Sequence, residues 1–357
     1  MALFAAHKLD YDVGMPASAE TLSTSTLAIG RVPLSGRAFL APMSGVTDIG
    51  MRRIAQRFGA SLVVSEMVAS DEYARGGEEA RLRAEGEGIA PHVVQIAGCD
   101  PRWMAEAARL AEASGADVLD INMGCPAKRV TGGWAGSALM RDLGLAQRLI
   151  EATVAAVRIP VTLKMRLGWD ETSRNAADLA RLAEQAGIRL LAVHGRTRAM
   201  FYKGKADWKA IALVKAAVAI PVVANGDCGS AAEASAMLAL SGADAVMIGR
   251  AALGRPWLVG MIARTLASGQ SAPEPSAADM AQAALEHFET LLRLMGPATG
   301  LRHARKHLAA YADRASPGCS SPGWASDRQR LVTSEDARQV ARLLTSFFSE
   351  RERMEAA

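Results

Sequence analysis

Cysteine is scarce and scattered. The chain of 357 residues has four, Cys99, Cys125, Cys228 and Cys319, and no two are close in sequence. Zinc and iron–sulfur sites need paired spacings, so no metal site is expected and no disulfide framework is suggested. Aromatic residues make up only 5%, while Ala, Gly and Val are common, which suits helices packed closely on a sheet. No apolar run reaches the roughly 18 residues that a membrane span needs. The first stretch, MALFAAHKLDYDVG, carries Asp10 and Asp12 and lacks the basic-then-apolar order of a secretion signal. These absences lead us to expect a soluble, cytoplasmic protein without a membrane partner. No G-x-G-x-x-G follows the first apolar run, which argues against an open, doubly wound dinucleotide-binding sheet. The net charge of +4 permits a polyanionic partner without requiring one.

What is present has a rhythm. Eight short apolar runs recur: AFLAPM, SLVVSEM, PHVVQIAG, DVLDINMG, PVTLKMR, LLAVHGR, PVVANGD and DAVMIGR. Between most of them lie segments such as PRWMAEAARLAEASGA, with apolar residues at intervals of three and four and a closing Gly. Alternating strand and helix implies parallel pairing, and continuous apolar strands imply burial on both faces. The pattern predicts an α/β fold, a TIM (β/α)8 barrel over residues 28–268. Residues 1–27 read as a poorly ordered extension and 269–278 as a Pro/Ser/Gly linker. Residues 279–357 read as a small all-α helical bundle, with a loop over 315–327 and an exposed, idle thiol at Cys319.

Polar residues follow the apolar part of each run: Met43–Ser44, Glu66, Gln95, Asn122, Lys164, His194, Asn225 and Gly249–Arg250. In a barrel they meet at the C-terminal rim, where barrel active sites lie. NGDCGS and GRAALGRPW join Gly-containing turns to helix starts, a pairing suited to phosphate. Gly226, Gly229 and Gly249 otherwise only make tight turns. Lys164 ends a strand, and a buried ammonium needs an anionic partner, for which the reduced ring of a flavin is one candidate. His194 could donate to the same region, or be a satisfied core residue. Gln95 offers a donor and an acceptor to a pyrimidine-like edge. Cys125, between Gly124 and Pro126, lacks an adjacent base to activate it as a nucleophile. A free thiol titrates near 8.5 and burial raises it, so this reading makes Cys125 a general acid rather than a packing residue.

The segments APMSGVTD, VSEM, VQIAGCDP, DINMGCPAKRV, GSALMRD, VTLKMRLGW, VHGRTRAMFYKGKADW, PVVANGD and ADAVMIGRAALGRPW resemble the tRNA-dihydrouridine synthases, with the closest similarity to the bacterial DusB branch. The resemblance runs in order over roughly residues 28 to 312; NMGCP and HGRTR are its most specific segments. It implies an FMN-binding barrel followed by a helical tRNA-binding domain, with NADPH as reductant. By resemblance, Pro42, Met43 and Ser44 line the flavin; Gln95, Lys164 and His194 contact its ring system. Asn225, Gly226, Asp227, Gly249 and Arg250 hold its phosphate and ribityl chain. Asn122 orients the target uracil and Cys125 is the acid. Lys128, Arg129, Arg196 and Arg198 at the pocket mouth, with Arg302, Arg305 and Lys306 on the bundle, are the cations expected to grip the D-loop and elbow of tRNA; a solvated helix face is the other reading of the bundle cations. A monomer is expected. The residues also suit an FMN barrel acting on a free pyrimidine, or a non-catalytic RNA-binding regulator on a barrel scaffold.

Overall fold

The computed structural model describes residues 27–316 and 322–355. Eight strands form its centre: β1 (Ala38–Leu40), β2 (Leu62–Ala69), β3 (Val93–Ala97), β4 (Val118–Met123), β5 (Val161–Arg166), β6 (Leu191–His194), β7 (Val222–Asn225) and β8 (Ala245–Ile248). They pair in parallel in sequence order, and β8 pairs with β1 to close the barrel. The expected (β/α)8 barrel is therefore present, with each of the eight apolar runs supplying one strand.

Helices α1 (Ile49–Arg57), α2 (Ser70–Ala74), α3 (Glu78–Ala84), α4 (Pro101–Ala113), α5 (Lys128–Thr131), α6 (Leu143–Ala156), α7 (Ala176–Gln185), α8 (Trp208–Lys215), α9 (Ala231–Ser241) and α10 (Leu258–Ser268) follow the strands. Helix α4 shows why the sequence folds this way. Asp100 caps it by accepting from Arg102 N, Pro101 opens it, and Met104, Ala107, Ala108 and Ala111 form its buried stripe. Small residues on that stripe let the helix lie close to the sheet.

Inside the barrel, side chains alternate along each strand with period two. The lower layers are apolar: Phe39, Leu62, Val64, Val93, Val118, Val223 and Ala245 pack together, joined by Ile29 of the hairpin Ala28–Ile29/Val32–Pro33 and by Leu34 just after it. The upper layers are polar, because the same inward positions become Gln95, Asn122, Lys164, His194 and Asn225. Registered pairs bring Asn122 beside Lys164 and His194 beside Asn225.

Four more helices complete the described chain: α11 (Ala277–Met295), α12 (Pro297–Ala315), α13 (Pro322–Thr333) and α14 (Ala337–Glu355). Helix α11 starts two residues before the expected bundle start at 279, because Ser276 caps it through Asp279 N. The expected 315–327 loop is shorter than read: helix already runs from Pro322, with Trp324 packed edge-on to Phe347. Cys319 and residues 1–26 lie outside the described residues. The linker is fastened rather than loose, since Glu274 accepts hydrogen bonds from Arg255, Arg314 and Arg351. The bundle core extends into the barrel, with Ile54 and Trp257 joining Met280, Phe288, Leu308 and Tyr311. Gly254 sits at this seam; a Cβ there would collide with the Ala310 carbonyl oxygen.

Candidate active site

The polar rim encloses a cavity of about 840 Å³, within the size range of cofactor and substrate sites. Pro42, Met43, Ser44, Gln95, Asn122, Cys125, Lys164, His194, Asn225, Gly226, Asp227, Gly249 and Arg250 all line it. So does Arg129 at its edge. Fourteen positions scattered over more than two hundred residues of sequence thus share one surface.

Lys164 brings a part-buried cation to the cavity. Its Nζ donates to Asn225 Oδ1 at 3.1 Å, and no described carboxylate forms an ion pair with it. Burial, with the nearby Arg166 cation, pushes its pKa down to about 8. His194 is held well below its ordinary value by burial and by the cations Lys164, Arg166 and Arg196, so it is neutral at pH 7. Asn225 is oriented by donating its Nδ2 to the Met247 carbonyl at 2.7 Å. Gly226 has φ +123°, and a Cβ there would strike the His194 ring at 2.9 Å; the turn after β7 requires glycine.

The thiol stands on a fixed loop. Cys125 N–H donates to Asn122 Oδ1 at 2.9 Å, and the Cys125 carbonyl accepts from Ser137 Oγ at 2.8 Å. Gly136 permits that approach: it has φ +60°, and a Cβ would lie 2.9 Å from the Cys125 carbonyl oxygen. Arg166, one strand position pair beyond Lys164, donates to the carbonyls of Gly124, Thr197 and Phe201 at 2.7, 3.0 and 2.9 Å. It clamps the thiol loop to the loop after β6. Burial lowers its pKa to about 10, still fully charged at neutral pH. Cys125 lies close enough to Lys164 and Arg166 to interact electrostatically with both.

Some predicted residues lie elsewhere. Arg196 is not a surface cation at the mouth. It is 1% exposed, donates to Asp227 at 2.9 and 2.5 Å, and also holds the Lys203 and Gly204 carbonyls. Its charge neutralises Asp227 and stitches the 203–206 loop to the turn after β7. Asp227, with Arg250 also within 3.2 Å, is held below the usual carboxylate range by Arg196 and Arg250 against partial desolvation. Glu66 lies within the register shift between Val64 and Met67 of β2, is not among the cavity-lining residues, and accepts from Gly45 N. Gly229 does line the cavity, but its N–H is taken by Glu233 Oε2 at 2.8 Å. Lys128 is exposed beside the thiol loop; Arg302 and Arg305 are exposed on α12, and Lys306 is half-buried against Gly45.

The sequence reading missed an aromatic–arginine ladder. Arg141 lies between Trp134 and Trp169, at 5.3 and 4.9 Å from the ring centres. Arg198 lies between Trp169 and Phe201, at 4.5 and 4.7 Å. Trp134 and Tyr202 are 54% and 51% exposed at this rim. Arg166 was legible in principle, because its i+2 spacing from Lys164 puts both on the inner face; the ladder was not, since its members come from separate loops.

A second polar cluster lies under the α1 N-terminus. Asp48 caps α1, accepts from His287 Nε2 at 3.0 Å and lies 3.3 Å from His307 Nε2. With His303 nearby, Asp48 and His307 bring potential metal-ligand atoms within 4.8 Å of one another; one carboxylate already shared between two imidazoles, with Lys306 beside it, favours a docking contact between barrel and bundle over a cation site.

Comparison with known proteins agrees with this architecture. Residues 39–342 match the family model described as Dihydrouridine synthase (Dus). A Rhizobium leguminosarum bv. phaseoli protein described as a probable tRNA-dihydrouridine synthase is 53% identical over 305 residues, 85% of this chain and 93% of that protein. A Xanthomonas axonopodis pv. citri protein, tRNA-dihydrouridine synthase B, is 50% identical over 287 residues, 80% of this chain and 86% of that protein. Among solved structures, histamine dehydrogenase from Rhizobium sp. 4-9 superposes with a TM-score of 0.53 at 12% identity, over 92% of this chain and 64% of that one. That likeness is one of fold.

Proposed function

The chain belongs to the dihydrouridine synthase family, and on that footing we propose that it reduces the C5–C6 bond of D-loop uridines in tRNA, using FMN held in the barrel mouth and NADPH as reductant. The observation that carries this reading is the gathering of the Cys125 thiol, the Lys164 ammonium and the neutral His194 imidazole on a single cavity, which Cys228 also lines. The residues fit a flavin. Lys164 makes no direct ion pair with a described carboxylate, Asp120 acting on it only at longer range, and it suits an anionic ring edge. His194, Gln95 and Asn225 offer fixed donors and acceptors around it, and Arg250 adds a cation at the Gly226–Gly249 end of the cavity. FMN, when bound, is the source of hydride for C6 of the uracil.

The protein's own groups do the rest. Asn122, fixed in orientation by its backbone contacts, presents a polar edge to the base. Cys125 gives its thiol proton to C5, and the Lys164 ammonium favours negative charge building up nearby. A uridine inside folded tRNA must be extruded to reach this depth. Exposed Lys128, Arg129, Arg302 and Arg305 supply phosphate contacts, and Trp134 and Tyr202 offer faces on which neighbouring bases stack.

The test is direct. Purified protein with FMN and NADPH is given transcript tRNA or free uridine, and dihydrouridine is read by mass spectrometry of the digested nucleosides. Dihydrouridine in tRNA alone supports the reading. Equal reduction of free uridine, or none in either, overturns it.

A further inference from the structure

Asp120 lies on β4 one inward position below Asn122, 5% exposed and outside the cavity lining. No described cation forms an ion pair with it. Its Oδ1 accepts from Thr162 Oγ1 at 2.5 Å and its Oδ2 from Gln95 Nε2 at 2.6 Å. Gln95 Oε1 in turn accepts from Asn122 Nδ2 at 2.8 Å. Asn122 Oδ1 then accepts from Gly124 N and Cys125 N at 3.1 and 2.9 Å. A single chain of hydrogen bonds therefore runs from the barrel interior to the backbone of the thiol loop.

The direction of that chain is forced. A backbone N–H only donates, so Asn122 must turn its carbonyl to the loop. Its NH2 group then faces Gln95, which must answer with its own carbonyl. The Gln95 NH2 group is left pointing down, and only an acceptor can satisfy it there. Primary amides are two-faced, so if the bottom acceptor is lost, both can turn over together. That reversal moves the unmatched donor to the top, where the Asn122 NH2 would oppose two backbone N–H groups. Without reversal one buried Gln95 donor lacks an acceptor; with it the Asn122 NH2 and the Gly124 and Cys125 N–H groups all lack one, and that state releases the loop.

We infer that Asp120 is a positioning residue: through Gln95 and Asn122 it fixes the loop that carries Cys125 at the cavity. The inference rests on the proposed function for its consequence in catalysis, but not for its geometry. A carboxylate serves well because it accepts on both oxygens, from Thr162 on one side and Gln95 on the other. Asparagine could keep the link, with its oxygen toward Gln95 and its NH2 toward the Thr162 hydroxyl. Leucine, of the same branched shape but bulkier and without an acceptor, could not.

The experiment follows the thiol itself, in full-length protein without tRNA. Iodoacetamide modification of Cys125 is timed by peptide mass spectrometry in wild type, Asp120→Asn and Asp120→Leu, with exposed Cys99 as internal reference. Asp120→Leu is expected to raise the Cys125 rate about tenfold, from the loss of one buried hydrogen bond, while Asp120→Asn stays close to wild type and Cys99 does not change. Gln95→Met cuts the same chain at its middle, at a position bordering open cavity, and must also speed Cys125 if Asp120→Leu gives no cooperative melt. In the uridine assay, kcat should fall with little change in KM for tRNA. A wild-type Cys125 rate in Asp120→Leu or Gln95→Met overturns the inference, as does an Asp120→Asn rate equal to that of Asp120→Leu. Should no variant, wild type included, reduce uridine, the proposed function fails while the alkylation rates still decide this one.

Discussion

Arg166 donates its Nε to the Gly124 carbonyl at 2.7 Å, joining the end of β5 to the residue before the thiol. The same guanidinium reaches the Thr197 and Phe201 carbonyls on the next loop, so one side chain sets the spacing of two walls of the cavity. A planar fork with several donors does this; an ammonium at the same place could not span three carbonyls.

Arg166→Met should therefore destabilise the protein by roughly 3–5 kcal/mol, since it strands carbonyls that a buried charge had satisfied. Arg166→Lys should restore little of that loss. Chemical denaturation of the two variants checks this, and equal stability of Arg166→Lys and wild type would refute the clamp.

Cys125→Ala should keep the fold and flavin binding while slowing uridine reduction by about 10²–10⁴-fold, the usual cost of one general acid. Single-turnover reduction of tRNA by pre-reduced enzyme is the measurement. A wild-type rate would remove the thiol from the mechanism.

Trp134→Ala should weaken tRNA binding by about 1–3 kcal/mol, as expected for one lost base-stacking face. Removing Arg302 and Arg305 together should weaken it differently, lowering the salt dependence of log K by roughly one unit per phosphate contact. Titrations at several salt concentrations distinguish the two, and an unchanged slope in the arginine variant would mean that this face of α12 is merely solvated.

Stability should fall on mild acidification because of His307. It is buried, and desolvation together with the His287 ring holds its pKa at about 4, against about 6.5 in an unfolded chain. Above pH 6.5 neither state binds the proton and the contribution is complete. Between 6.5 and 4 the unfolded chain takes up a proton that the folded one refuses, so stability declines, by about 3 kcal/mol in all. Asp48, facing the same ring, is held well below its ordinary value by His287 and His307 despite its burial and stays ionised throughout that window. Denaturation between pH 7.5 and 4.5 should show this slope, and His307→Gln should flatten it; an identical slope in the variant would assign the effect elsewhere.

Much of the fold was legible from spacing. Each strand announced itself as a short apolar run ending in a polar residue, because a strand buried on both faces has no place for charge until it reaches the rim. Gln95, Asn122, Lys164, His194 and Asn225 could be gathered on paper for that reason alone. Arg196 was misjudged by the same logic. In sequence HGRTR looks like two exposed cations, and nothing nearby reveals that Asp227, 31 positions on, takes the first of them into the interior. The helix at Pro322 was hidden too, since Gly, Ser and Pro read as a loop until Trp324 has Phe347 to pack against.

The sequence by itself determined the periodicities: apolar runs for strands, three-and-four spacing for helices, and the polar residue that closes each run. These are local, set by backbone geometry and by the burial of neighbouring side chains. Only the tertiary structure decided the pairings, such as His287 with Asp48 across 239 positions and Asp120 with the loop of Cys125 by way of Gln95. A hydrogen bond depends on distance and direction in space, and closing the barrel brings together groups whose separation along the chain carries no trace of the contact.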